Sequence, residues 1–312
     1  VRLGDEIAYH NDTTVDWLGG FVQANYTTDK MNIYGMGGLS SIESSYQDHF
    51  TIEDEVITAD PISTYQVKGG MMYDINSDVS VFFNTGMVEK APIMDNVIYF
   101  DGTVASDPAN EKFVHNEFGV NYKFGKLGLN ASAYNTDWQD RNLTKSVTTG
   151  QGDSGDTDVI FLTGVNQKHS GVELETNYMV NDMLDLMFVA SFGNWKFDGD
   201  ANGNYQETEY NSEGQAVGYK TTEYAYALDG LYVGDMPQTS YVLGVTLKPI
   251  KDLRIQAIHK MYDKNYSDWS PSAREFDGTN DDADRSQVWE APSYSRLDLH
   301  MSYKLPKVKD LD

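Results

Sequence analysis

The stretch from Glu117 to Asp140 restricts the possible folds of this chain more than any other. Phe118, Val120, Tyr122 and Phe124 alternate with Glu117, Gly119, Asn121 and Lys123. After Gly125-Lys126, Leu127, Leu129, Ala131 and Ala133 alternate with Gly128, Asn130, Ser132 and Tyr134. A period of two predicts strands with one apolar and one polar face, and a two-residue gap predicts a tight antiparallel turn. A soluble sheet has this pattern. So does the wall of a transmembrane barrel, where the apolar face meets lipid and the polar face a wet lumen.

The same alternation recurs along the chain and predicts about eleven strands, from 15–26 to 297–303. Short turns fall near 28, 77, 125, 181 and 250. Long loops are expected at 47–62, 89–113, 143–157, 198–237 and 267–291. A sandwich has no reason to gather every long loop at one end, whereas an outer-membrane barrel does. The polar sets carry Glu117, Lys123, Glu173, Glu175, Arg296, Asp298 and His300. Unpaired charges in a dry core are very costly, so these are expected to face water in a lumen. Tyr and Trp near strand ends suit interfacial girdles. The predicted class is all-β: an antiparallel, up-and-down transmembrane β-barrel in partial form, with short periplasmic turns and long extracellular loops. The alternative is a soluble, calcium-dependent β-sandwich adhesin or carbohydrate-binding module, which requires a dry core.

Composition narrows the partners. Forty-eight acidic against 23 basic residues leave a net charge of −25, which argues against nucleic acid because no basic patch exists to neutralise phosphates. The sharper reading of that charge places it in outward loops. Cysteine is absent, which excludes disulfides and thiolate metal sites. No apolar run approaches the ~20 residues of a membrane helix, a criterion that barrel strands do not need to meet. The opening VRLGDEIAYHND reads as mid-protein sequence without a signal peptide, so a piece of a longer protein is expected.

Several segments together resemble the barrel of TonB-dependent outer-membrane receptors. They are Asn110-Glu111-Lys112 with Glu117-Phe118-Gly119, Ala133 to Trp138, Gly171-Val172-Glu173-Leu174-Glu175, Val81 to Pro92, and Ser295 to Leu299 with Tyr303. Asp5 to Gly20 resembles a version common in Bacteroidetes-like members. The resemblance implies an energised transporter with a plugged lumen in a barrel of about 22 strands. It implies an outer-membrane location and an inner-membrane partner, TonB, acting through the plug. The ligand would be a bulky nutrient: an oligosaccharide, a siderophore-iron complex or a vitamin. The chain departs from that family pattern, with no plug domain, no TonB-contacting box and no terminal aromatic strand, since it stops at Lys309-Asp310-Leu311-Asp312. It is therefore expected to be a single partial-barrel domain over 1–312.

Three groups of residues are candidate sites. Asp198, Asp200, Asn202, Gly203 and Glu209 have the spacing D-x-[DN]-x-[DN]-G-x5-E of a calcium loop, so Ca²⁺ is the one cofactor suggested. The loop aromatics Trp138, Tyr205, Tyr210, Tyr219, Tyr224, Tyr226, Tyr232, Tyr266, Trp269 and Trp289 are candidates to stack on sugars or aromatic chelators; the bland reading is that they prop loops together. Gly152-Asp153-Ser154-Gly155 lacks the His/Asp context of a nucleophile, and six scattered histidines form no H-E-x-x-H. No catalytic set is expected.

Overall fold

The computed structural model describes residues 2, 10–49, 55–99, 101–106, 108–149, 156–210, 212, 216–276 and 283–305. In chain order the strands are β1 (Asn11–Thr27), β2 (Met31–Asp48), β3 (Ile57–Thr58), β4 (Ile62–Asp74), β5 (Val79–Lys90) and β6 (Glu111–Phe124). They continue as β7 (Leu127–Thr149), β8 (Asp156–Asn181), β9 (Leu184–Phe197), β10 (Ala201–Tyr210) and β11 (Ala216–Tyr226). The last are β12 (Pro237–Leu247), β13 (Leu253–Tyr266), β14 (Glu275–Phe276), β15 (Glu290–Ala291) and β16 (Tyr294–Tyr303). All sixteen belong to one sheet. Among the described residues no second sheet faces it, so the sandwich alternative fails on architecture.

The wall consists of β1, β2, β4 to β9, β12, β13 and β16, each antiparallel to the next. Consecutive strands meet through tight turns at one end, and side chains fix those turns. Asn76 Oδ1 accepts the Asp78 and Val79 amides at 2.9 and 3.0 Å, Asn181 Oδ1 accepts Met183 N–H at 2.8 Å, and Gly125 adopts φ +56°. These are Asx and left-handed turn solutions that need Asn or Gly. Every long connection lies at the opposite end.

Register assigns each face. Leu39, Phe118, Leu243 and Leu299 are 72%, 55%, 52% and 71% exposed on one face, a density of bare apolar groups that water does not favour. Tyr26, Tyr73, Tyr122, Phe124, Tyr178 and Tyr303 sit on this same face, within the last four residues of their strands at the short-turn end. They form a belt of the kind found at a membrane interface.

The long-connection end differs from expectation. Within 198–237, predicted as a loop, Ala201–Tyr210 and Ala216–Tyr226 pair as the β10–β11 hairpin, and β10 pairs the outer end of β8 from Asn202↔Thr163 to Gln206↔Val159. Residues 143–149 and 156–157, also predicted as loop, continue β7 and β8. Where these strands leave the wall the register slips at Trp138/Arg141 and Arg141/Leu143, Asp140 and Gly164 take φ of 54° and 69°, and Asn166 Oδ1 holds the Asp140 amide at 2.9 Å. This bulge re-aims the strands. Beyond it Ile160, Leu162, Val165, Phe197, Tyr226, Leu228, Leu231 and Trp269 close a dry core of their own.

A strap crosses this annex. Arg285 grips Asp200 through two bonds of 3.0 and 2.7 Å, and the Leu228 and Asp229 amides donate to the same carboxylate at 3.0 and 3.1 Å. Gln287 accepts from Tyr232 N–H and donates to Gly230 O. The guanidinium first, and then the two amides, hold the Asp200 carboxyl below its ordinary range against the cost of burial. A depressed folded pKa gives stability that is present above the unfolded value near pH 4 and lost as pH falls through the folded one. Limited proteolysis from neutral pH down to about pH 3 is expected to open the strap only in the acid range. Asp200→Asn should cost about 1 kcal/mol and remove that acid dependence.

Candidate functional site: the polar face of the wall

The polar face is organised in rows that run across strands, with successive rows about 7 Å apart along the wall. One row reads Tyr34, Gly70, Asn84, Glu117, Tyr134, Gly171, Gly193. The Tyr34 hydroxyl crosses Gly70 to donate to Asn84 Oδ1 at 3.2 Å, and Asn84 Nδ2 donates to Glu117 at 3.0 Å. On the other side, Tyr134 crosses Gly171, and its hydroxyl accepts Trp195 Nε1–H at 2.9 Å. Each tyrosine spans three strands, which it can do only because a glycine lies beneath the ring. A Cβ at Gly70 would stand 2.4 Å from the Tyr34 ring, and one at Gly171 2.6 Å from the Tyr134 hydroxyl. In the next row toward the short turns, Phe82 lies over Gly119 in the same way.

Toward the long connections the face becomes aromatic. Phe113 and Trp138 rings are 4.5 Å apart, Trp138 and His169 6.4 Å, and His169 and Trp195 5.6 Å. Arg141 covers Trp138 at 4.1 Å. Above them Glu111, 1% exposed, takes Lys90 Nζ and Trp138 Nε1, both at 3.0 Å. Trp138 therefore belongs to the wall, not to a loop. The alternation that carries β7 to this residue was the available signal.

The predicted polar residues share this face. Glu117 and Glu173 accept from Asn84 and Ser191 across strands, and Glu175 from Asn177 of its own strand. Asp298 binds Arg296 at 3.0 Å and Lys260 at 3.2 Å. His300 lies in register with Gln256 and Lys123 with Gly128. The remaining loop aromatics scatter. Tyr226 and Trp269, 0% and 4% exposed, pack against each other at 5.7 Å inside the annex core, so they prop it and present no ring to a ligand. Tyr224 and Tyr232 pack on that core, while Trp289 is 66% exposed. The side chains of Tyr205, Tyr210 and Tyr219 lie outside the described residues, as do Gly152-Asp153-Ser154-Gly155, residues 5–9 of the opening segment, and the terminal Lys309-Asp310-Leu311-Asp312.

The calcium-loop residues are not brought together. Asn202 and Glu209 stand seven residues apart on β10, about 23 Å along an extended strand. Asp200 is committed to Arg285, and Asp198 pairs with Lys168 at 2.8 Å. A calcium loop must curl its ligands around one point, and an extended strand does the opposite.

At the rim, Tyr266 stacks on Tyr232 at 4.3 Å. Burial first, then the Glu290 carboxylate and Tyr232, push its hydroxyl up to about 12. A raised folded pKa gives stability that is intact below the unfolded value of about 10 and lost as pH rises toward the folded one. Phenolate absorbance should therefore include a late step that coincides with loosening of the rim, and Tyr266→Phe should abolish that coincidence.

The family description "TonB dependent receptor-like, beta-barrel" matches residues 3–312. The chain belongs to the TonB-dependent receptor β-barrel family. Members of this family are bacterial outer-membrane proteins, so the apolar face meets lipid and the polar face lines the lumen. No curated protein sequence matches the chain. Among solved structures it is similar to the copper transporter OprC (TM-score 0.63, 15% identity, 95% of this chain and 41% of that one). It is also similar to the siderophore receptor PiuA from Acinetobacter baumannii (0.61, 17%, 95% and 38%). The FrpB iron transporter from Neisseria meningitidis follows (0.56, 13%, 95% and 40%). These likenesses concern the fold. The chain spans about two fifths of the length of each of these proteins.

Proposed function

We propose that this wall belongs to a receptor that captures a bulky nutrient at the cell surface and passes it inward, driven by TonB acting through a plug domain, without covalent chemistry. The observation that carries the reading is the two-faced wall itself. Its apolar side is bare and belted with aromatics for lipid, and its polar side is hydrogen-bonded row by row as a wet lumen demands. Ligand capture falls to the outer part of the lumen, where aromatic rings and polar groups converge. The partners are thus outer-membrane lipid, a plug with TonB, and a small-molecule or oligosaccharide ligand. Copper and siderophores are named for the neighbours OprC and PiuA and support import as the activity without specifying the cargo. The test is growth on a limiting nutrient that requires the full-length receptor. Loss of TonB should abolish that growth as completely as loss of the receptor, and growth that is indifferent to TonB would overturn the reading.

A further inference from the structure

The lipid-facing side of β6 to β9 contains a recess. Along β7 the side chains shrink from Leu127 and Leu129 to Ala131 and Ala133, while Phe118, Val172 and Phe192 stand in the same cross-strand row as Ala133. These three larger side chains are each about half exposed. With the alanines as floor they enclose an apolar groove of about 480 Å³. The next row outward, about 7 Å on, is Asn116, Asn135, Ser170 and Asn194. Asn116 Oδ1 accepts from the Thr85 hydroxyl at 2.9 Å. Among the described residues no protein group bonds the side chains of Asn135, Ser170 or Asn194.

One row further out, Lys168 stands directly opposite Lys196 on the same face. Like charges so placed destabilise a sheet. Lys168 Nζ reaches Asp198 at 2.8 Å, but an exposed ion pair is weak and leaves the ammonium with donors to spare. Lys196 Nζ lies 4.7 Å from the centre of the Tyr232 ring, and Asp137 follows Lys168 in the row. Elsewhere, the position just above the apolar band holds Asp16 opposite Glu43 on β1 and β2, and Thr239 opposite Asp263 on β12 and β13. The paired cations are thus local to the mouth of the groove.

We propose that these rows bind one phosphorylated, acylated glycolipid of the outer leaflet, of the lipid A type. The long connections mark this end of the wall as the outer one. The groove takes an acyl chain against Phe118, Val172 and Phe192. The Asn amides and the Ser170 hydroxyl both donate and accept, which fits the amides and hydroxyls that join acyl chains to such a head group. A glycerophospholipid presents only ester carbonyls at that depth, acceptors without donors. Lys168 and Lys196 hold a phosphate, as clustered cations at a membrane surface do, and Asp137 accepts from a sugar hydroxyl.

The test uses the full-length receptor purified from outer membranes and stripped of bound lipid by detergent exchange. The probes are bisphosphorylated lipid A, dephosphorylated lipid A and phosphatidylglycerol. The readout is the temperature at which gel mobility shifts on heating, followed as each lipid is titrated in. Bisphosphorylated lipid A should raise that temperature saturably, and the other two should have far less effect. Lys168→Gln with Lys196→Gln removes two exposed charges and should weaken the lipid about tenfold. Ala133→Phe fills the groove with a residue suited to a strand and should weaken it to a similar degree, about tenfold. Without lipid, both variants should shift at the wild-type temperature. An equal response to dephosphorylated lipid A or to phosphatidylglycerol would overturn the proposal, as would no response to any probe or an unchanged affinity in either variant. TonB-dependent growth tests the uptake reading separately and stands or falls without this site.

Discussion

Valine at position 171 will unlock the lumen side of β7, β8 and β9. Its Cβ would stand 2.6 Å from the Tyr134 hydroxyl and 2.7 Å from the Phe192 carbonyl oxygen. The ring can swing away, but the backbone oxygen cannot. Tyr134 then loses the bond from Trp195 Nε1, a half-buried indole N–H is left without its acceptor, and the strands must separate locally. Overpacking and a forfeited hydrogen bond together cost about 3 kcal/mol. Gly128→Ala is the internal control. It lies on the same face, and its nearest neighbour would be Asn177 O at 3.9 Å, so its effect should stay within about 0.5 kcal/mol. Urea unfolding of the detergent-solubilised receptor would compare the two midpoints, and equal midpoints would refute the role assigned to Gly171.

Glu111→Ala should be of similar size for a different reason. The carboxylate is buried, and three groups converge on it: Lys90 Nζ from β5, and Trp138 Nε1 and the Asn142 amide from the outer half of β7. Lys90 is half exposed and can turn to water, but the indole N–H and the amide lose their acceptor where solvent is scarce. Removing one partner from such a buried charged group costs about 3 kcal/mol. Glu111→Gln keeps an acceptor and should recover roughly half. Protease cleavage at the outer ends of β5 to β7 is the sensitive readout, and an alanine variant as resistant as the wild type would sink the assignment.

The wall was legible in the sequence because both of its faces are wet or oily along their whole length, so the period of two is seldom interrupted. The hairpin at Gly125-Lys126 and the Asn turns at 76 and 181 needed only neighbouring residues to be recognised. The annex was not legible. Its core residues Ile160, Leu162 and Tyr226 lie in segments rich in Gly, Asp and Thr, and the pairing that makes these segments strands joins the outer end of β8 to β10, some 40 residues later, and β10 to β11. Asp200 matched a metal-ligand spacing locally, yet its partner Arg285 is 85 residues away. Taken alone, glycines at 70, 119 and 171 only weaken their own strands. Their purpose becomes visible only when register places a neighbour's ring over each one.

β7 and β8 run for 23 and 26 residues, while their neighbours β6 and β9 have 14 each. A membrane crossing consumes about ten. Among the described residues the rim on this side is therefore a crest packed from within, and its segments 141–165, 198–236 and 267–293 carry 18 of the chain's 48 acidic residues. Anything too large to enter the pore touches that crest first, and meets a firm, anionic parapet there rather than a yielding one.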